Sequence, residues 1–221
     1  MENLWKSVLE DNQITKLYED INKHINYVID HGMLHTLHVL EYVNTICDVF
    51  KVNNKTKVLS GIAALLHDAG RLQSRKEHAK YGAIYAKEYL QGKLSNEDIE
   101  EVCYAIEHHD RENFDYNTTN DVAWILIMAD KMDYTRDRYI PELLEEKHKE
   151  KSSYNIKSIC LKKLDNNTCK IEIELYKEIK NFKEEFVNMQ IYKSVVNHFG
   201  CDLNIDVKIY KENANEKSFK S

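Results

Sequence analysis

The sequence predicts a mainly α protein, a helical bundle followed by a small α/β appendage built from a strand hairpin, a helix and a third strand. Three observations carry this expectation. Only one proline, Pro141, and six glycines occur in 221 residues, so little interrupts helices. Apolar residues recur at helical spacing through roughly the first two thirds of the chain. Beyond residue 150 the period changes to alternation, as in Ile171, Ile173 and Leu175 against Lys170, Glu172 and Glu174. The expected division is a helical domain over residues 1–148 and a small α+β subdomain over residues 149–221.

Taken in order, residues 4–28 read as one amphipathic helix, with Leu9, Ile14, Leu17, Ile21 and Ile25 among its apolar positions. A second helix spans 33–50, with Leu37, Leu40, Val43, Ile46 and Phe50 directed inward. The stretch 60–71, SGIAALLHDAGR, places Ile62, Leu65 and Leu66 on a buried face and is expected to stop at Gly70. Residues 77–90 offer Ala79, Gly82, Ala83 and Ala86 for close packing. Ser95 and Asp98 read as an acid-substituted capping box that opens a helix running to His109. After the polar loop 113–120, a further helix carries residues 122–134. Pro141 suits the first turn of a short helix, and the charged stretch 145–152 reads as a linker. Asp165, Asn166 and Asn167 supply a turn between strands at 156–161 and 171–175. Ile179, Phe182, Phe186, Met189 and Val196 trace a helix closed by Gly200. Leu203, Ile205, Val207 and Ile209 alternate as the third strand, and the polar residues 211–221 read as a frayed tail.

A hydrophobic fraction of 43% and a charged fraction of 31% describe an ordinary globular chain rather than a disordered one. The formal charge of −6 disfavours duplex nucleic acid as a partner and leaves room for a small anion held by local cations. The five cysteines, Cys47, Cys103, Cys160, Cys169 and Cys201, are odd in number and lack a CxxC, which predicts free thiols in a reducing compartment. Glu2, Lys6, Glu10 and Asp11 stand where a signal peptide needs an apolar run, and the longest apolar stretch, 122–129, is too short to span a bilayer. The expectation is a cytoplasmic protein without a membrane partner.

Histidine and aspartate recur in the helical part where a metal could use them: His35, His67 with Asp68, His78, His108 with His109, and Asp130. Imidazole and carboxylate without thiolate suit Fe, Mn, Co, Ni or Zn and argue against a structural zinc site. An apolar helix ending in His67 and Asp68 would fix ligands before a metal arrives. His35 shares its neighbourhood with His31 and His38, of which one could be core and another solvated. Asp130 on an otherwise apolar helix is costly to bury unless it is paired.

The ordered set His35 in HTLHV, His67 and Asp68 in LLHDAGR, and Asp130 in MADKMD resembles the HD superfamily of metal-dependent phosphohydrolases over roughly residues 30–140. The resemblance implies an HD-type helical bundle. Binuclear members add histidines between the HD pair and the last aspartate, and here His78 in EHAKYGA and His108 with His109 in AIEHHD fill those places. The implied cofactor is therefore a pair of divalent metal ions. His35, His67, Asp68 and Asp130 would hold one, His78, His108 and His109 the other, and Asp68 would bridge them.

The implied activity is hydrolysis of a phosphate ester or anhydride in a nucleotide-like small molecule by a metal-bridged hydroxide, a chemistry that two cations about 3.5–4 Å apart perform without a protein nucleophile. Asp68, Arg71 and Lys131 are the expected catalytic residues. Arg71 has a fork suited to a phosphate oxygen pair, and Arg136 and Arg138 are further candidates for the phosphate side. No GYP follows the HD pair, which disfavours a cyclic dinucleotide, and the HxxxGA and ADK elements resemble bacterial hydrolases of nucleotides, the diadenosine tetraphosphate type included. Two other readings stand beside this one: a mixed-valent di-iron oxygenase on the same scaffold, and a non-catalytic nucleotide-binding sensor. The C-terminal appendage carries no readable motif and is expected to act as a cap or a homodimer surface.

Overall fold

A computed structural model describes residues 4–24 and 27–211. Ile25 and residues 212–221, which include nearly all of the expected tail, lie outside the described residues. The expected first helix is two: α1, Leu4–Leu9, and α2, Asn12–His24. The break falls at Asp11, whose carboxylate accepts from the Gln13 amide at 2.8 Å and so turns the chain into α2. Ile14, Tyr18 and Ile21 of α2 are buried.

α3, Met33–Phe50, has the expected bounds, but its buried face runs through His35, Thr36, Val39, Leu40, Val43, Ile46 and Cys47. Leu37 is 39% exposed, one position off the inward stripe expected for it. α4, Asn54–Leu66, begins where the Asn53 side chain accepts from the Thr56 amide, and every residue from Val58 to Leu66 is buried. It ends before Gly70, contrary to expectation: His67 closes it, and Ala69–Leu72 continues as a 3₁₀ turn. Gly70 has a different duty there. A Cβ on it would stand 2.1 Å from the His78 carbonyl oxygen and 2.4 Å from the Gly82 amide. The turn after the HD pair thus rests backbone to backbone on α5, His78–Leu90, which only glycine permits.

α6, Asn96–Glu107, starts at Ser95, whose side chain accepts from the Asp98 amide, while the Asp98 carboxylate pairs with Lys55 instead of closing the box. α7, Asp121–Met132, is buried nearly all round and runs through the bundle centre, packed against α3, α4 and α6.

After α7 the chain makes 3₁₀ turns at Arg136–Arg138 and at Pro141–Leu143, the second opened by Pro141 as expected. The stretch 145–152 is not an open linker: it holds α8, Glu146–Lys149, closed by a reciprocal bond pair between Glu145 and His148. Strands β1, Ile156–Lys163, and β2, Thr168–Leu175, pair antiparallel. β3, Asp202–Ile209, lies parallel to β2, in the order β1-β2-β3. The crossover expected as one helix is split into α9, Phe182–Glu185, and α10, Met189–His198, and the chain leaves α10 through Gly200 at φ +69°. The sheet packs on the bundle through β1 against α3 and α10 against α7, so the core is continuous across both parts. Among the described residues, no helix is long and apolar enough to cross a membrane.

Candidate metal centre

Five helix ends meet at one point. His35 comes from the first turn of α3, His67 and Asp68 from the end of α4, His78 from the start of α5, His109 from just past α6, and Asp130 from the last turn of α7. All six are buried. Apolar faces drive the helices together, and the polar ends are buried with them.

Hydrogen bonds settle which ring nitrogens face inward. Nδ1 of His67 lies 2.8 Å from the Ala64 carbonyl, that of His78 3.0 Å from the Arg75 carbonyl, and that of His109 2.6 Å from the Ile106 carbonyl. A carbonyl only accepts, so each Nδ1 carries the proton and each Nε2 keeps its lone pair. His35 has the same tautomer, since its Nδ1 donates to Asp133 Oδ2 at 2.7 Å. The Nε2 atoms then converge in pairs, His35 with His67 at 3.2 Å and His78 with His109 at 3.3 Å.

Asp68 stands between the pairs. Its Oδ2 lies 3.6 Å from His67 Nε2 and 3.9 Å from His35 Nε2, and its Oδ1 lies 3.5 Å from His78 Nε2 and 3.9 Å from His109 Nε2. Asp130 Oδ1 approaches His35 Nε2 at 3.3 Å.

This donor set fits divalent metals. Two lone pairs aimed at each other across little more than 3 Å repel, whereas a cation between them turns each pair into a clamp. Asp68 Oδ1 is buried without a hydrogen-bond partner: Arg71 Nε is 2.7 Å away, yet neither atom finds bonding geometry in the other. An unsatisfied buried carboxylate oxygen is costly, and metal coordination would satisfy it. Groups of three candidate donors form at His35, His67 and Asp130, at His67, Asp68 and His109, and at His78, His109 and Asp110.

The electrostatics favour the ligating protonation states. Burial drives His31 and His67 down to about 3 and lowers His78, so the imidazoles stay neutral. Burial works against the Asp68 carboxylate, but the Arg71 guanidinium, with a hydrogen bond from His31, outweighs it and holds the group well below the usual carboxylate range. Asp130 is held low against the same penalty by the Lys131 ammonium.

The structure does not bring His108 to this cluster, against the expectation from sequence. Neighbouring helical positions point about 100° apart, and with His109 turned inward, His108 Nδ1 bonds the Tyr104 carbonyl at 2.9 Å and its ring stacks on Tyr104 at 4.2 Å. Three participants lacked an expected role. His31 Nδ1 lies 2.9 Å from Asp68 Oδ2. Asp133 orients His35 and also accepts from His38 Nδ1 at 3.1 Å. Asp110 Oδ2 lies 3.6 Å from His78 Nε2. The signal for Asp133 is in MADKMD, three residues after Asp130 and hence on the same helical face.

The centre forms part of the floor of a cleft of about 900 Å³, within the size range of small-molecule sites. Arg71, Arg75, Lys76, Arg111, Lys131, Arg138 and Lys151 line it against fewer acids, among them Asp110, Glu112 and Asp130. Arg71 Nη2 also reaches His78 Nε2 at 3.1 Å. Of the basic cluster after Asp130, Lys131 pairs with Asp130 in the cleft wall. Arg138 is buried and donates to the Asp30 carbonyl at 2.7 Å through Nη2. Arg136 turns away to the Tyr154 carbonyl and the Tyr176 ring. The stretch 145–152 contributes Glu145, His148 and Lys151 to the far wall.

Comparison with known proteins adds a family and a structural neighbour. Residues 33–135 match the family model of the HD domain. No curated protein matches the chain. Among solved structures, the chain is similar to a predicted HD superfamily hydrolase of an uncultured Thermotogales bacterium. The identity is 24%, covering 59% of this chain and 79% of that one, with a TM-score of 0.44.

Proposed function

From residues 33–135, which match the family model of the HD domain, we propose that the chain is a metal-dependent hydrolase of a phosphate ester or anhydride in a nucleotide-like small molecule. The observation that carries this reading is the convergence of four Nε2 lone pairs on the two sides of one carboxylate, each fixed by an Nδ1 bond that leaves no other tautomer. In this reading His35, His67, Asp68 and Asp130 hold one divalent ion, His78, His109 and Asp68 the other. Bound there, such ions supply Lewis-acid activation of water and of phosphoryl oxygens.

The chain's own residues do the rest. Asp68 offers one oxygen to each pair of histidines and thereby sets the spacing of the two ligand sets. Asp133 holds the His35 ring in its orientation. Arg71 and Lys131, beside Asp68 and Asp130, neutralise substrate charge, and the fork of Arg71 suits two phosphate oxygens. The cationic walls of the cleft favour a substrate bearing several negative charges over an uncharged one. That preference weighs against the oxygenase reading.

Metal analysis of freshly purified protein, followed by a screen of nucleotides and model phosphodiesters with the metals found, tests the proposal. Two equivalents of metal and phosphate-releasing turnover are expected. Oxygen consumption by the ferrous protein with no phosphohydrolysis would move the assignment to the oxygenase. Nucleotide binding without turnover would make the chain a sensor.

A further inference from the structure

A second chemical cluster sits on the sheet, away from the cleft. Lys163 at the end of β1 is paired in register with Cys169 of β2, which puts both side chains on one face of the sheet. Cys201 immediately precedes β3, one step before the Thr168–Asp202 pair, so it arrives beside the same strand end. Lys163 Nζ lies 2.9 Å from Cys201 Sγ, and Cys169 pairs in register with Leu203, two residues on from Cys201 and on the same side of the strand. Their exposures differ. Cys169 is fully buried, whereas Cys201 is half-buried and lines a surface cavity of about 510 Å³ together with Phe50, Lys163 and Phe199.

We propose that Cys201 and Cys169 form a peroxide-oxidisable pair, Cys201 being the thiol attacked first and Cys169 the thiol that resolves it to a disulfide. Cys201 is the accessible one of the two sulfurs, with the Lys163 ammonium 2.9 Å from it, so peroxide meets Cys201 first. Burial shields Cys169 from the oxidant and raises its thiol to about 11, which keeps it protonated until its neighbour has reacted. In the first step a Cys201 S–O bond forms as the peroxide O–O bond breaks, giving the sulfenic acid and one water. In the second, the Cys169 thiol displaces the hydroxyl, the S–S bond forms and a second water leaves. Two electrons pass from the sulfur pair to one hydrogen peroxide, and the bridge ties the start of β3 to β2.

The test uses the full chain with the exposed Cys160 replaced, Cys160→Ser, treated with graded hydrogen peroxide and digested without reductant for mass spectrometry. A peptide pair joined through Cys169 and Cys201, lighter by two hydrogens and separated by dithiothreitol, is expected. In Cys169→Ala on the same background, dimedone should trap the sulfenic acid at Cys201. Lys163→Met should slow Cys201 modification by about 3–10-fold, and Lys163→Arg should retain most of the rate. Should Cys169→Ala fail to fold by circular dichroism, the joined peptide and the Lys163 series decide. Cys201 left unmodified at doses that fully oxidise Cys160 in the wild-type chain overturns the proposal. A Cys201–Lys163 product in place of the disulfide overturns the role of Cys169.

Discussion

The floor and the rim of the cleft are built on opposite terms. On the floor, every histidine Nδ1 of the four inward rings is bonded to a carbonyl or to Asp133, and the carboxylates are buried. On the rim, Lys76, Arg111 and Lys151 have no side-chain partner among the described residues, and Arg75 rests only on the Tyr27 ring at 4.6 Å. A buried group with one permitted orientation acts all or none, because its neighbours have nothing else to bond. An exposed cation acts through a screened field that the other cations share. The floor is therefore expected to decide whether chemistry occurs, and the rim how tightly and how fast a charged substrate arrives.

Substitutions sharpen this contrast in descending order of effect. Asp68→Ala removes the one carboxylate that addresses both histidine pairs. It should abolish turnover and deplete bound metal, measured by elemental analysis, while circular dichroism stays helical because the apolar faces carry the fold. Metal and turnover retained in that variant would remove Asp68 from the centre.

Asp133→Ala touches no proposed metal position but frees the His35 ring. Losses of roughly 10–100-fold in metal affinity are expected from such an orienting partner, readable by competition with a chelator. Arg71→Ala should lower kcat/KM by about 10–100-fold at unchanged metal content, since a charge-assisted hydrogen bond is worth about 1.5–3 kcal/mol. Arg71→Lys should restore part of that, keeping the charge without the fork.

On the rim, Arg111→Ala should raise KM by about 2–5-fold, an effect that shrinks as salt rises toward 0.5 M. A loss as large as that of Arg71, or one indifferent to salt, would erase the distinction between floor and rim. The smallest effect is expected for His108→Ala, with metal content unchanged because its ring belongs to the Tyr104 stack. Loss of a full equivalent of metal would restore it as a ligand.

What could be read ahead of the structure follows from which forces are local. His35, His67, Asp68, His78 and Asp130 were identifiable because their order and neighbouring residues along the chain resemble the HD superfamily motif. α3, α5 and the β1–β2 hairpin were legible because period and turn chemistry act over a few residues. Local signals missed the split of the first helix at Asp11, since apolar spacing continues across the break. They also missed the place of the stretch 145–152 in the cleft wall, since a charged run looks alike in solvent and over a cavity.

The sequence by itself determined a helical domain with an HD-like set of histidine and aspartate side chains, a hairpin-bearing appendage and a surplus of acid over base. Only the tertiary structure decided between His108 and His109, gave Asp133, His31 and Asp110 their places, and sent Arg136 away from the cleft while Lys131 stayed in it. The physical reason is one of direction. A pattern along the chain specifies which face of a helix is buried, but which atom of a ring points at a neighbour depends on carbonyls and carboxylates brought in from elsewhere. Gly70 shows the same limit, a helix stop by its residue type and a backbone contact by its surroundings.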